Sequence, residues 1–338
     1  MNKRPTIREV ADLAGVSKSL AAMVFSSESG VSPDRRDKVL SAAKKLGYTP
    51  NQWARSLRAG AGNFVGILLN DLHNPLLTEI ADLTRKALLE KGQPSFVSAV
   101  VINERNGKRY VDPASIHSLL DLRPKALVVV GGLPDLKPFK SLPEDVPVIV
   151  ATSPAAGLPG AIAVRADDDQ GIRLLAEHLH SLGHKKIAYV GPDDSQNSLG
   201  RMAAYKKSMV DLGLEKYIRT QVADRTEDRG FAAAKLLLQE NDTPTAIIGF
   251  NDNIAFGVQN AVHQLTKAGF PPVAVAGYDN TYVSELDRIS LTTIEQEKEA
   301  IAIKIAEIIT EPGAALAQRG KEIKLLPRLI VRNSTLNP

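Results

Sequence analysis

The side chains of this chain that could do chemistry are carboxylates, imidazoles and guanidiniums. None of its 338 residues is a cysteine, so thiolate metal sites, cysteine nucleophiles and disulfides are all excluded. Two clusters invite a metal reading, Asp167-Asp168-Asp169 and the trio His178, His180 and His184. The three aspartates directly precede a helical stretch, where the positive end of a helix attracts acidic side chains. His178 and His180 stand two apart and therefore do not share a helix face. No metal and no cofactor is expected. There is no GxxxxGK[ST] loop, no GxGxxG after a strand and no nucleophile–base pair at a recognisable spacing, so no catalytic residue is expected either. Cations carry the remaining signal. Residues 1–60 hold 11 Lys/Arg against 5 Asp/Glu, a net of +6, and the remainder holds 31 against 33, a net of −2. Positive charge confined to one segment is the distribution that binding to phosphates needs.

The elements of that segment agree. Thr6 and Glu9 have capping-box spacing, and the helix they open places Ile7, Val10, Ala11 and Ala14 on one face. Gly15 stands where this helix must stop, and Ser17 is a natural N-cap for the next one, which runs to Ser26. Two short helices joined by a tight turn form a helix-turn-helix, whose second helix enters a major groove. A third helix follows, with Ser32 as its cap, Pro33 and Asp34 in its first turn, Lys44 and Lys45 in its last and Gly47 as its stop. Val39, Leu40, Ala43 and Leu46 give it an apolar face. Val10, Val16, Val24, Val39, Leu46 and Tyr48 are the expected core of this headpiece, which is expected to bind DNA. Pro50 to Arg58 is a possible short helix, too short to be stable alone in water. Ala59-Gly60-Ala61-Gly62 behind it is a flexible joint.

From Asn63 the pattern changes. Apolar runs at Phe64–Leu69, Ala126–Val130, Val146–Ala151, Lys186–Val190, Ala246–Phe250 and Val273–Gly277 alternate with helical stretches such as Leu76–Lys91, Gly171–Leu182, Gly200–Leu212 and Arg229–Gln239. Continuously apolar strands between helices imply parallel sheets covered on both faces. Roughly ten such units exceed a sheet of usual size, so two doubly wound α/β subdomains with a cleft between them are expected. The length also exceeds a single core. No apolar run approaches the ~20 residues of a membrane span, and the N-terminus lacks a signal peptide's apolar region. A cytoplasmic protein with no membrane contact is expected.

In this order, the headpiece, short helix and two-lobed core resemble the LacI/GalR family of bacterial transcription regulators. The resemblance runs from Thr6 to Thr335 and rests on ordered anchors. These include Ala14-Gly15-Val16-Ser17, Val31-Ser32-Pro33, Leu46-Gly47-Tyr48-Thr49-Pro50-Asn51, Ala54-Arg55-Ser56-Leu57, Asn251-Asp252, Gly277-Tyr278-Asp279 and Leu291-Thr292-Thr293-Ile294. It implies an all-α helix-turn-helix headpiece over 1–50, a hinge helix and linker over 51–62, and a periplasmic-binding-protein-like core over 63–338. Within that core it implies one subdomain of 63–163 plus 293–323 and another of 164–292 plus 324–338.

Functionally, the resemblance implies a homodimeric repressor on double-stranded palindromic operator DNA, whose affinity changes when a small polar effector (a sugar, polyol or nucleoside) fills the cleft. DNA contacts are implied for Thr6, Ser17, Lys18, Ser19 and Met23 in the headpiece and for Asn51, Ala54, Arg55 and Leu57 beyond it. Leu57 stands where such proteins push a leucine into the minor groove at a central step. The recognition helix departs from the family: Leu20-Ala21-Ala22-Met23 replaces the usual Thr-Val-Ser-Arg. Met23 cannot read a guanine as arginine does, though it could touch a thymine methyl, so base reading falls chiefly to Lys18 and Ser19. Leu20 and Met23 could instead be core residues. Effector contacts are implied for Asp71, Asn74, Asn197, Arg201, Arg225, Asn251 and Asp279. Their mix suits hydroxyls, although Arg201 with Arg225 could equally hold a carboxylate or phosphate. A solute-binding protein of a transporter, built on the same core, is the alternative reading.

Overall fold

Side-chain oxygens of Thr6 and Ser17 accept free N–H groups in the first turns of the two helices they precede. The structure is a computed structural model, and it describes residues 5–25, 31–49, 62–105, 108–134, 137–155, 157–240 and 242–336. Asn51, Ala54, Arg55 and Leu57 lie outside the described residues. The chain divides into two compact units, Met1–Gly62 and Asn63–Pro338.

In the first unit, α1 (Ile7–Ala14) opens on the expected capping box: Thr6 Oγ1 accepts from Glu9 N, and Glu9 Oε2 accepts from Thr6 N at 2.6 Å. Gly15 closes it at φ 65°, a conformation that costs a glycine little. Ser17 Oγ accepts from Leu20 N at the start of α2 (Lys18–Phe25). The third helix, α3 (Pro33–Leu46), starts at Ser32, but the serine side chain makes no capping hydrogen bond, so the expected cap is positional only. Val10, Ala11, Ala21, Val24, Val39, Ala42 and Ala43 form the core, with Val16, Leu20 and Tyr48 packed against it. Leu46, expected in that core, is 36% exposed, and Leu40, expected on the apolar face of the third helix, is 45% exposed. Ala42 and Ala43 are the buried residues of that stretch instead.

The second unit holds ten strands in two main sheets. The first runs in the order β13-β7-β6-β5-β1-β2, built from β1 (Gly62–Leu69), β2 (Ser95–Ala99), β5 (Pro124–Val130), β6 (Val148–Ala151), β7 (Ile162–Ala166) and β13 (Glu322–Leu325). A hairpin of β3 (Ile102–Arg105) and β4 (Lys108–Val111) follows β2. The second main sheet has the order β11-β10-β8-β9, from β8 (Ile187–Gly191), β9 (Arg219–Val222), β10 (Ala246–Gly249) and β11 (Ala274–Ala276), and its pairings are all parallel. Both faces of the first sheet are buried, as the continuous apolar runs require. Val65, Ile67, Val128 and Ile149 pack on one face with Ile80 and Ile305, and Leu68, Leu127, Val129 and Val150 on the other with Ile116 and Phe139. Each such side chain contributes about 1.5–3 kcal/mol on burial.

The two lobes exchange chain three times. The first sheet keeps β7 to Ala166 and β13 to Leu325, whereas Ile294 of β12 (Thr293–Glu295) and Leu329 of β14 (Arg328–Ile330) pack on the second lobe's core. The crossings therefore fall after Ala166, Glu295 and Leu325, two or three residues later than the sequence boundaries place them. Among the described residues no helix is long and apolar enough to cross a membrane.

Candidate functional site

The headpiece offers a polar surface on α2. Ala21 and Val24 face the core, and Leu20 packs against it. Lys18, Ser19, Ala22 and Met23 occupy the other side, Lys18 and Ser19 fully exposed and Met23 half-buried. Thr6 and Ser17 are both engaged as helix caps through their hydroxyls. Leu20 thus takes its core reading, and Met23 stays on the side that carries Lys18.

In the second unit, parallel strands bring their C-terminal ends to one edge of each sheet, and loops at that edge are where ligands bind in open α/β folds. A cavity of about 760 Å³ lies there, within the range of small-molecule sites. All seven effector candidates line it: Asp71 and Asn74 after β1, Asn197 and Arg201 after β8, Arg225 after β9, Asn251 after β10 and Asp279 after β11. A second cavity, of about 880 Å³, opens at the opposite strand ends near Phe139, Val148, Ile162 and Leu316. It gathers none of the candidates and lies away from the C-terminal strand ends, so the cleft is the candidate site.

Several candidates also hold the fold. Asn74 Oδ1 accepts from Leu76 N at 3.0 Å and Asn251 Oδ1 from Ile254 N at 3.0 Å, each capping a helix. Asp71 Oδ1 accepts from His73 N. Asn197 and Arg201 lie within the helix Gln196–Asp211, which begins four residues before its expected start because Ser195 and Ser198 cap it reciprocally. Arg201 is 2% exposed. Its Nε donates to Asp168 Oδ1 at 2.8 Å and its Nη1 to Phe250 O at 2.7 Å, while the guanidinium lies 3.7 Å from the centroid of Tyr278. Asp168 is its counter-ion, since Asp279 Oδ1 is 4.0 Å away. Burial, reinforced by the charge of Asp252, pushes the Asp279 carboxyl well above the usual carboxylate range, against the pull of Arg201 and a hydrogen bond from Gln296.

Backbone strain concentrates here too. Thr152 and Asp279, both in the lining, have φ of 65° and 138°. A β-branched residue in the left-handed region persists only where its surroundings enforce it, and such residues cluster at functional sites.

Sequence reasoning missed Asn70, Glu104, Arg109, Thr152, Asp194 and Gln296 of the lining. Asn70 and Thr152 directly follow the apolar runs of β1 and β6, a signal that could have found them. Glu104 and Arg109 sit on the β3–β4 hairpin, which has no such signal. The aspartates and histidines of the opening metal reading go elsewhere: Asp167 caps the helix Asp168–Ser181, His178 Nε2 meets Thr335 Oγ1 and His184 Nδ1 meets Thr245 Oγ1.

Residues 6–51 match the model of bacterial regulatory proteins of the lacI family, and residues 176–335 match that of the periplasmic binding protein-like domain. The maltose regulon regulatory protein MalI of Escherichia coli K12 is 28% identical over 90% of this chain and 91% of its own length. The lactose operon repressor of the same strain is 28% identical over 99% of this chain and 92% of its own. The crystal structure of the lac repressor dimer bound to operator and the anti-inducer ONPF superposes with a TM-score of 0.81, at 26% identity over 98% of this chain and 99% of that one. The transporter reading does not fit a chain whose relatives, matched along nine-tenths or more of its length, are regulators. With a lacI-type helix-turn-helix ahead of a two-lobed periplasmic-binding-protein-like core, the chain belongs to the LacI family of bacterial regulatory proteins.

Proposed function

We propose that this protein is a ligand-responsive, sequence-specific DNA-binding repressor that acts as a homodimer on a palindromic operator in the cytoplasm. The observation that carries the ligand-responsive part is that the seven residues implied by the family resemblance all line one cleft cavity. In this reading Asp71, Asn74, Asn197, Arg201, Arg225, Asn251 and Asp279 form the effector site. Lys18 and Ser19 read bases, Met23 touches a thymine methyl, and Thr6 and Ser17 position the headpiece on the backbone through the groups their capping roles leave free. Asn51, Ala54, Arg55 and Leu57 belong to a hinge helix over 51–62, with Leu57 as the minor-groove wedge. The cleft binds and does not catalyse. An effector that prefers one arrangement of the lobes changes operator affinity by its differential affinity for the two arrangements, typically ~1–3 kcal/mol.

The test is selection of DNA from a random pool by the purified protein at moderate salt, followed by challenge of the selected complex with neutral sugars, polyols and nucleosides. A palindromic consensus, with release by one compound class, is the expected result. No enrichment with or without those compounds would overturn the proposal.

A further inference from the structure

Asp194 stands in the loop after β8, on the second lobe, and two arginines from opposite lobes converge on it. Arg225, after β9, grips the carboxylate with both nitrogens: Nη2 donates to Oδ1 at 2.6 Å and Nη1 to Oδ2 at 3.0 Å. Arg109 comes from β4 of the hairpin, whose Ile102 and Val111 pack with the first lobe, and its Nη1 donates to Oδ2 at 2.8 Å. Ser198 Oγ adds a longer contact to Oδ1 at 3.4 Å. Burial opposes ionisation, but the hydrogen bonds and charges of Arg225 and then Arg109 outweigh it and hold the carboxyl well below the usual range. All three side chains line the cleft cavity, between a quarter and a third exposed.

Two guanidiniums facing one anion is the arrangement by which proteins capture phosphate and carboxylate groups. Here the anion is part of the chain. The third arginine of the lining, Arg201, is committed to Asp168 and to a backbone carbonyl. Among the described residues, each of the three arginines of the cleft lining is therefore bonded to a carboxylate of the protein itself. A ligand anion entering between Arg109 and Arg225 would have to expel Asp194 and leave its charge near Asp224, whose Oδ1 is 3.6 Å from Arg225 Nη1. Glu104, opposite Arg109 in the hairpin, and Asp71 add further negative charge to the same wall.

We propose that Asp194 is a specificity residue: a built-in anion that occupies the seat Arg109 and Arg225 would otherwise offer to a ligand's phosphate or carboxylate, so that the cleft takes uncharged polar ligands and refuses their anionic counterparts. This rests on the reading of the cleft as an effector site. It also decides between the two effector classes the sequence left open, because Arg225 is already neutralised. Asp194 also ties the hairpin of one lobe to the loops of the other, so the residue that excludes anions sits on a bridge between the lobes.

Inorganic phosphate is the probe, titrated calorimetrically at constant ionic strength into the full-length protein. Asp194→Asn keeps the shape of the side chain and removes its charge; it is expected to bind phosphate at least about tenfold more tightly than the unmodified chain. Adding Arg109→Gln or Arg225→Gln to it should abolish the gain. Asp194→Ser serves as a second vacating variant, and circular dichroism establishes that each is folded. Equal phosphate affinity in the unmodified and vacated proteins, or no gain in either folded variant, overturns the proposal. Release of the operator complex by sugar phosphates and not by any neutral sugar would overturn it as well. Failure to bind operator at all would count against the regulator reading instead, and the phosphate comparison would still decide the role of Asp194.

Discussion

Arg201 lines the cleft and is also a pillar of the fold, and replacing it with methionine measures the second role. The guanidinium is 2% exposed, bonded to Asp168 and to the carbonyl of Phe250, and stacked on Tyr278. Methionine refills most of the volume, so the cavity term is small. The electrostatic term is not. Breaking a buried ion pair by removing one partner costs about 3–5 kcal/mol, because the other charge is left uncompensated. Asp168 retains Arg165, whose Nη1 donates to its Oδ2 at 2.8 Å, which places the expected loss at the lower end, about 3 kcal/mol. At about 2 °C per kcal/mol for a unit this large, the melting point should fall by about 6 °C. Urea unfolding followed by far-ultraviolet circular dichroism measures the loss directly. Arg201→Lys should recover little of it, since a single ammonium cannot serve both Asp168 and the carbonyl in the guanidinium's plane. A loss below about 1 kcal/mol would refute the reasoning, because only a surface-like, weakly coupled pair behaves so. The pair with Asp168 would then not be a pillar of the fold.

Lys18→Ala should weaken binding to the selected operator about tenfold and relax base preference at one position of each half-site; unchanged preference in a gel-shift competition would remove Lys18 from base reading. Gly257→Ala would place a Cβ 1.9 Å from Glu227 O and 2.6 Å from Phe231 N, forcing the helices Glu227–Leu238 and Asp252–Lys267 apart. A loss of about 2–3 kcal/mol in urea unfolding is expected, and a loss below about 0.5 kcal/mol would contradict that close approach. Burial lowers the pKa of His178 from its ordinary 6.5, and burial with the charge of His178 lowers that of His184. The unfolded chain therefore binds these protons more tightly than the folded one, so their stabilisation is complete above pH 6.5 and is lost as the pH falls through the lowered values. Melting should be lower at pH 5.5 than at 7.5, and replacing both histidines with glutamine should flatten that part of the profile; an identical slope in the variant would exclude them as its source.

The strands that sequence made legible are those buried on both faces. Phe64–Leu69, Ala126–Val130 and Ala246–Phe250 read as continuous apolar runs, and the structure has strands at Gly62–Leu69, Pro124–Val130 and Ala246–Gly249. Two of the strands it hid, Ile162–Ala166 and Thr293–Glu295, are buried throughout but short, the first interrupted by Arg165 and the second bounded by polar residues; others have a wet side. Ser95–Ala99 and Arg219–Val222 form the outer edges of their sheets, with half-exposed and exposed residues and a polar sequence, Arg-Thr-Gln-Val, in the second. The β3–β4 hairpin lies outside both main sheets, and its pairing is a matter of tertiary context. In the headpiece the helices were readable from caps and glycines, but which leucines of α3 turn inward was not. Leu40 and Leu46 share the period of Val39 and Ala43, and only the packing of the headpiece core decides between them.

The cleft was legible in part for a related reason. A polar residue after an apolar strand is a candidate both for capping the next helix and for meeting a ligand, and pattern alone cannot separate the two roles. In the reading proposed above, Asn74 and Asn251 serve both roles. In each, Oδ1 accepts the backbone N–H of the following helix, while the amide nitrogen is the donor it can turn toward the cavity. A ligand hydroxyl held by that nitrogen pulls on a side chain already fixed to a helix end, so binding acts on the helix rather than on a free rotamer. Asp194 extends the argument across the lobes, because its contacts join the β8 loop, the β9 loop and the hairpin at one carboxylate. A neutral ligand can fill the cavity without breaking that junction, whereas an anion seated between Arg109 and Arg225 must break it. Because that junction joins the two lobes, the phosphate response of Asp194→Asn bears on the contact between the lobes as well as on specificity.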